Sequence, residues 1–266
     1  MGFSIPADTE LALRLGIFLT LFLALALWEW AAPARTARLS RALRWRANLG
    51  LAVLNTALLR IALPGSALAF AALAAEEGWG LLNRHAVPDW AAVGLGILLL
   101  DLVIYFQHVL FHSVPALARL HAVHHADPDF DLTTGIRFHP LEIALSTAIK
   151  FAAIAALGAP VLAVLAFEIL LNATAMFNHA NVSLPARLEP WVRRVLVTPD
   201  MHRTHHSVIE AERNSNYGFC LAIWDRMLGT YTAAPRGDLD IGLAAWRDTD
   251  AIATLPGVLR MPFSAR

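Results

Sequence analysis

Residues 91–112 read AAVGLGILLLDLVIYFQHVLFH, an apolar run with one charge, Asp101, that ends in a pair of histidines. About 20 mostly apolar residues are needed to cross a bilayer as a helix. At helical spacing Asp101, His108 and His112 fall within about 40° of one another. Two imidazoles at i and i+4 can chelate one metal ion. Asp101, two turns deeper on the same face, is placed to accept the second N–H of a ligand histidine and fix its tautomer. This stretch therefore predicts a membrane helix that delivers metal ligands at its end.

The chain around it fits a membrane protein. Hydrophobic residues make up 57% and charged residues 16% of 266, and mean hydropathy is +0.53. Ordinary soluble domains carry roughly 45–50% and about 25%. Lys+Arg and Asp+Glu are equal at 21 each, so nothing in the charge points to nucleic acid. The single cysteine, Cys220, excludes internal disulfides and a cysteine-ligated iron–sulfur cluster, which takes about four thiolates. The opening MGFSIPADTE lacks the basic start of a secretory signal, so the apolar run after it reads as a retained helix.

Further spans are expected at about 11–32 and 49–75, the second interrupted by Arg60 and Pro64-Gly65. Residues 141–179 read as a helical hairpin turning at Gly158-Ala159-Pro160, with Lys150 and Glu168 on opposite arms and in reach of each other. From 184 to 266 the chain is more polar. The predicted fold is all-α: one membrane domain over 1–266, a bundle of four to five membrane-embedded helices, with a cytoplasmic helical cap at 184–266. Arg35, Arg38, Arg41, Arg44 and Arg46 lie between the first two spans with no acid among them. The positive-inside rule makes that segment cytoplasmic. Span parity then brings His108 and the hairpin end at His179 to the same side, in an inner or plasma membrane.

Ten of the eleven histidines lie between 108 and 206. Besides HVLFH there are HAVHH, with His121, His124 and His125, and HRTHH, with His202, His205 and His206. On a helix each HxxHH gathers three imidazoles within about 100°. His179 ends the hairpin and shares a face with Glu168 and Asn172, which are expected to support the site. His139 precedes Pro140 at a helix start, where a neutral, ligating imidazole is plausible. His85 stands alone in the opposite loop. Ten histidines suffice for two metals at about four to five each. Imidazole suits zinc, copper, iron and nickel alike. The carboxylate-bridged Glu-x-x-His pattern of soluble di-iron bundles is absent from the clusters.

These motifs resemble the fatty acid hydroxylase/sterol desaturase superfamily of membrane enzymes. HVLFH, HAVHH, NHANVSLP at 178–185 and HRTHH carry the resemblance, with NYG at 216–218 and WDRMLGTY at 224–231. It covers residues 99–231 and is specific for the superfamily, not for a substrate. It implies two iron ions, with zinc a substitute in purified protein, held by His108, His112, His121, His124, His125, His179, His202, His205 and His206. In some relatives another histidine lies four residues before the position of His179. Here that residue is Ala175, and His139 is the candidate for the missing ligand. Trp224 and Tyr231 read as support for the site. The implied activity is O₂-dependent hydroxylation of a lipid C–H bond, with desaturation by the same centre as the alternative.

Such chemistry needs two electrons from outside. The chain has neither GxGxxG nor a cysteine set, so an external donor is expected: a ferredoxin, a cytochrome-like carrier or a reductase. A metal transporter would spread its ligands near the bilayer midplane, and catalytic zinc takes about three protein ligands. Both rivals fit one-sided clusters of ten histidines poorly, and a bis-His haem protein would need ligand pairs inside the spans.

Overall fold

The computed structural model describes residues 6–63 and 65–264. Five segments are long and apolar enough to cross a membrane: Asp8–Ala31, Arg41–Arg84, Asp89–Ser113, Pro140–Leu157 and Val161–His179. They are built from helices α1 (Ala7–Ala31), α2 (Arg41–Ala62), α3 (Ala67–Glu76), the short α4 (Leu81–Arg84), α5 (Asp89–Ser113), α7 (Pro140–Leu157) and α8 (Val161–His179), with α6 (Pro115–His125) following α5. Among the described residues the β-structure is limited to isolated bridges, so the protein is a helical integral membrane protein.

The second span is two helices. α2 stops at Ala62 and α3 begins at Ala67, where the Ser66 side chain caps the new helix by accepting from the Ala69 amide. Pro64, half of the expected interruption, lies outside the described residues. α2 also starts eight residues earlier than the apolar run, so Arg41, Arg44 and Arg46 lie in its first turns. Arg44, one of the five arginines between the first two spans, is not free. It is buried and pairs with Asp127 and Asp131 at 2.7 and 2.6 Å. Removing one partner of such a pair costs about 3–5 kcal/mol, because the other charge is left buried and alone. The pair fixes the DPDFD loop after α6 against α2.

The hairpin forms as expected. Gly158 ends α7 in the left-handed region at φ 65°, and a Cβ there would run into the Trp79 carbonyl and Asn83. Pro160 stands at the N-cap of α8. Lys150 and Glu168 pair across the two arms, and Arg14 of α1 joins Glu168 at 2.7 Å.

After α5 the chain breaks only at Val114. Pro115, at the first position of α6, needs no amide partner there. This tight turn folds HAVHH back onto HVLFH. The segment from 184 onward is less helical than expected. Its helices α9 (Glu189–Val192), α10 (Pro199–His205), α11 (Glu210–Arg213), α12 (Ile223–Met227), α13 (Thr249–Ala253) and α14 (Leu255–Arg260) have four to seven residues each, joined by loops. Part of it packs on α5, where Tyr217 and Trp224 cluster with Tyr105.

Candidate metal centre

Nine histidines converge where α5, α6, α8 and α10 meet. They form two groups whose ligand atoms lie within 4.8 Å of one another in each: His108, His112, His121, His125 and His205; and His124, His179, His202 and His206. His112 is half-buried and the other eight are buried. Neighbouring residues of one motif serve different groups, as with His124 and His125, and with His205 and His206. The groups adjoin: His125 of the first and His206 of the second stack with ring centroids 4.3 Å apart.

The hydrogen bonds around the rings set their tautomers. His108 Nδ1 lies 2.8 Å from the Tyr217 carbonyl, His205 Nδ1 2.7 Å from that of Ser215, His179 Nδ1 2.7 Å from that of Ala175 and His124 Nδ1 3.3 Å from that of Arg137. A carbonyl oxygen only accepts, so each Nδ1 carries the proton and each Nε2 presents a lone pair. His121 Nδ1 lies 2.6 Å from Glu142 Oε1 and donates to this carboxylate. The Nε2 atoms of His108, His112, His121 and His205 are buried without a hydrogen-bond partner. The Nε2 atoms of His124 and His179 face each other at 3.1 Å. With both protons on Nδ1, two lone pairs meet there, and a cation relieves the repulsion. Burial, reinforced by neighbouring histidines, holds His124, His125, His202, His205 and His206 far below the usual imidazole range. They are neutral, the form that binds metal. An all-nitrogen, desolvated, lone-pair-rich cluster fits metal ions of the imidazole-binding kind.

Four expected contributors make their hydrogen bonds elsewhere. His139 caps α7: its Nδ1 accepts from the Leu141 amide at 3.2 Å, and its Nε2 lies 3.3 Å from the Leu259 carbonyl. It belongs to neither histidine group. Asp101 touches neither His108 nor His112. It accepts from the Cys220 and Leu221 amides at 3.3 and 3.2 Å and from Trp224 Nε1 at 2.8 Å. The α5 face is right, but the C-terminal segment reaches Asp101 first. Glu168 is occupied by Lys150 and Arg14, and Asn172 Nδ2 donates to the Glu168 carbonyl; both line the cavity that also reaches His108 and His121, but their polar contacts are with one another and with Lys150 and Arg14.

Asp101 acts through a chain of contacts. It pins Trp224, and the adjacent Asp225 accepts from the Tyr217 and Gly218 amides at 2.7 and 2.9 Å. Asn216 sits at φ 51°, in the left-handed region that Asn tolerates better than most residues. Its amide ties to Met201 and Thr232 carbonyls. This turn aims the carbonyls on either side of Asn216, those of Ser215 and Tyr217, at His205 and His108. NYG and WDR thus form one bracket for two histidines.

Glu142 was not singled out by sequence reading. An acid in the first turn of a helix reads as an ordinary complement to the helix dipole, and only the packing of α7 against α6 brings it to His121.

A cavity of about 570 Å³ opens on this centre. His108, His121 and Glu142 line one end, and Ile104, Phe111, Phe138, Met176 and Phe219 form apolar wall.

A polynitrogen centre at the ends of membrane-spanning helices, opening on an apolar chamber, marks a class of membrane metalloproteins. The fatty acid hydroxylase family model matches residues 93–230, more than half the chain, and the protein belongs to that family. It is 34% identical to ornithine lipid hydroxylase OlsE of Rhizobium tropici over 166 residues, 60% of this chain and 49% of that protein. It is 33% identical to alkylglycerol monooxygenase of Danio rerio over 149 residues, 56% of this chain and 31% of that protein. The human alkylglycerol monooxygenase is 30% identical over 144 residues, 54% of this chain and 31% of that protein. The chain thus matches half or less of the length of these relatives. No solved structure matches.

Proposed function

We propose that this protein is an O₂-dependent di-iron oxidoreductase that hydroxylates a C–H bond of a membrane lipid. The observation that carries the reading is the set of buried, partnerless Nε2 atoms beside a lipid-sized apolar cavity. The activities of the relatives, a lipid hydroxylase and monooxygenases, favour hydroxylation over desaturation. His108, His112, His121, His125 and His205 would hold one metal, and His124, His179, His202 and His206 the other. Iron at these positions would supply, with O₂ and two electrons, the oxidising power that no side chain has against an inert C–H bond.

The protein's own residues do the rest. The carbonyls of Ser215, Tyr217, Ala175 and Arg137 keep the Nδ1 protons in place, so the nitrogens facing inward stay free. Glu142 makes His121 a stronger donor. The walls around His108 and His121 hold a carbon chain and keep water from it. The net change inserts one oxygen atom into C–H and reduces the other to water with two electrons and two protons. The electrons come from an external donor, a ferredoxin, a cytochrome-like carrier or a reductase. The chain forms one membrane domain with the clusters on the cytoplasmic side of an inner or plasma membrane.

Metal analysis separates iron from zinc, although overexpression can load the wrong metal. The deciding experiment gives iron-reconstituted protein an electron donor, lipid and ¹⁸O₂, beside His124→Ala and His205→Ala. Labelled hydroxylipid from the wild type alone supports the proposal. Unlabelled alkene makes the enzyme a desaturase, and equal product from the variants overturns the assignment.

A further inference from the structure

The cavity has a second end. On α7, Glu142, Ser146 and Lys150 follow at i, i+4 and i+8 and all line it, a polar stripe leading away from His121. At its far end stand Lys150, Glu168 and Arg14, from three different helices, all lining the same space. At 1.5 Å per residue, Lys150 lies about 12 Å along α7 from Glu142, and Glu168 about 16 Å along α8 from His179. Ionised side chains inside membrane spans are costly, and they mark binding or transport paths by default.

Hydrogen-bonding capacity decides what such an end can take. Both oxygens of Glu168 are engaged: Oε1 pairs with Lys150 and Oε2 with Arg14 at 2.7 Å. Arg14 Nε pairs with Glu10 at 2.9 Å, and Glu10 is not in the cavity wall. Lys150 has three donors and Arg14 five, so unspent donors remain on both, and the side chains are 19% and 25% exposed. Two of the three charges lining this end are positive. The opposite end presents the His108 and His121 imidazoles and the Glu142 carboxylate.

We infer that the Arg14–Lys150–Glu168 end of the cavity binds an anionic, acceptor-rich terminus of the lipid substrate, a carboxylate or phosphate. The oxidised carbon is then the one about 12 Å further along the chain, at His108 and His121. The cavity measures from the polar terminus and so sets the position of oxidation. This inference rests on the hydroxylase reading for its reaction, and on the cavity alone for its binding.

The test is binding, without turnover, to zinc-loaded protein in detergent micelles. The probes are palmitate, methyl palmitate and a phosphate-headed lysolipid. Wild type should prefer palmitate over its methyl ester by about tenfold or more, the usual scale for one hydrogen bond to a charged group. Lys150→Met should reduce that preference to near unity while zinc content stays unchanged. Glu168→Gln, which releases Lys150 and Arg14 from their carboxylate, should bind palmitate more tightly than wild type. A lysolipid that matches palmitate points to phosphate as the natural terminus, and a weaker one to carboxylate. The inference is overturned if wild type shows no preference, if Lys150→Met keeps it, or if Lys150→Met and Glu168→Gln lose binding and zinc together, the mark of a purely structural tie. Displacement of palmitate by millimolar inorganic phosphate overturns the lipid assignment in favour of a free anion. Failure of the oxygenase reading would leave these binding results unchanged.

Discussion

The two histidine groups use the same residue type but differ in what stands behind and in front of them. The first group, with His108 and His121, forms part of the cavity wall, and Glu142 backs one of its rings with a full charge. None of His124, His179, His202 and His206 lines the cavity, and the two backing contacts in this group, at His124 and His179, are neutral carbonyls. A negative partner strengthens an imidazole ligand more than a carbonyl does. The centre is therefore asymmetric: one group faces the cavity, and the other lies behind it.

The sharpest way to break this comparison is to remove one ligand from each group. His205→Ala and His124→Ala should each abolish turnover, with a loss above the roughly 10–100-fold typical of outer contacts. Each should also leave one metal per protein by elemental analysis, because the other group is intact. Loss of both metals from either variant would show that the groups do not fill independently.

Glu142→Gln sharpens the asymmetry. It keeps an acceptor for His121 but removes the charge. Metal affinity of the first group should fall about 10–100-fold and that of the second should hold, read as a two-phase release during chelator titration. Equal weakening of both phases would end the distinction. Asp101→Asn should act on stability before metal. It puts a donor among the Cys220, Leu221 and Trp224 donors, at a cost of about 1–3 kcal/mol. A lower melting temperature with metal affinity changed less than in Glu142→Gln is the expected result.

Acidity provides the mildest test. His124, His125, His202, His205 and His206 have folded values far below the ordinary imidazole range because of burial. Below about pH 6.5 the unfolded chain binds protons that the folded one refuses. The metal-free protein should therefore lose stability as pH falls through that value and keep it above. The loaded protein should hold out to lower pH, since bound metal favours the same neutral rings. Identical pH profiles with and without metal would mean that the rings are not the groups involved.

The gathering of the histidine motifs was legible in advance. HxxxH and HxxHH are local patterns, and a helix turns them into ligand faces wherever it packs. The apolar runs announced the spans for the same reason, since length and composition act along the chain. Where the structure departs from the sequence reading, the hydrogen-bonding partner was not marked by the pattern around the residue. Asp101 shares a face with His108, but a segment 119 residues later reaches it first. His139 is consumed by its own helix start. Glu142 had no local mark at all.

By itself the sequence determined a helical membrane protein with three histidine motifs, because periodicity and hydrophobicity are properties of contiguous residues. Only the tertiary structure decided that nine imidazoles divide five and four, that Glu142 stands behind His121, and that one cavity joins the histidines to Arg14, Lys150 and Glu168. Those relations depend on which faces of α1, α5, α6, α7, α8 and α10 meet, and that is settled by the packing of the whole bundle.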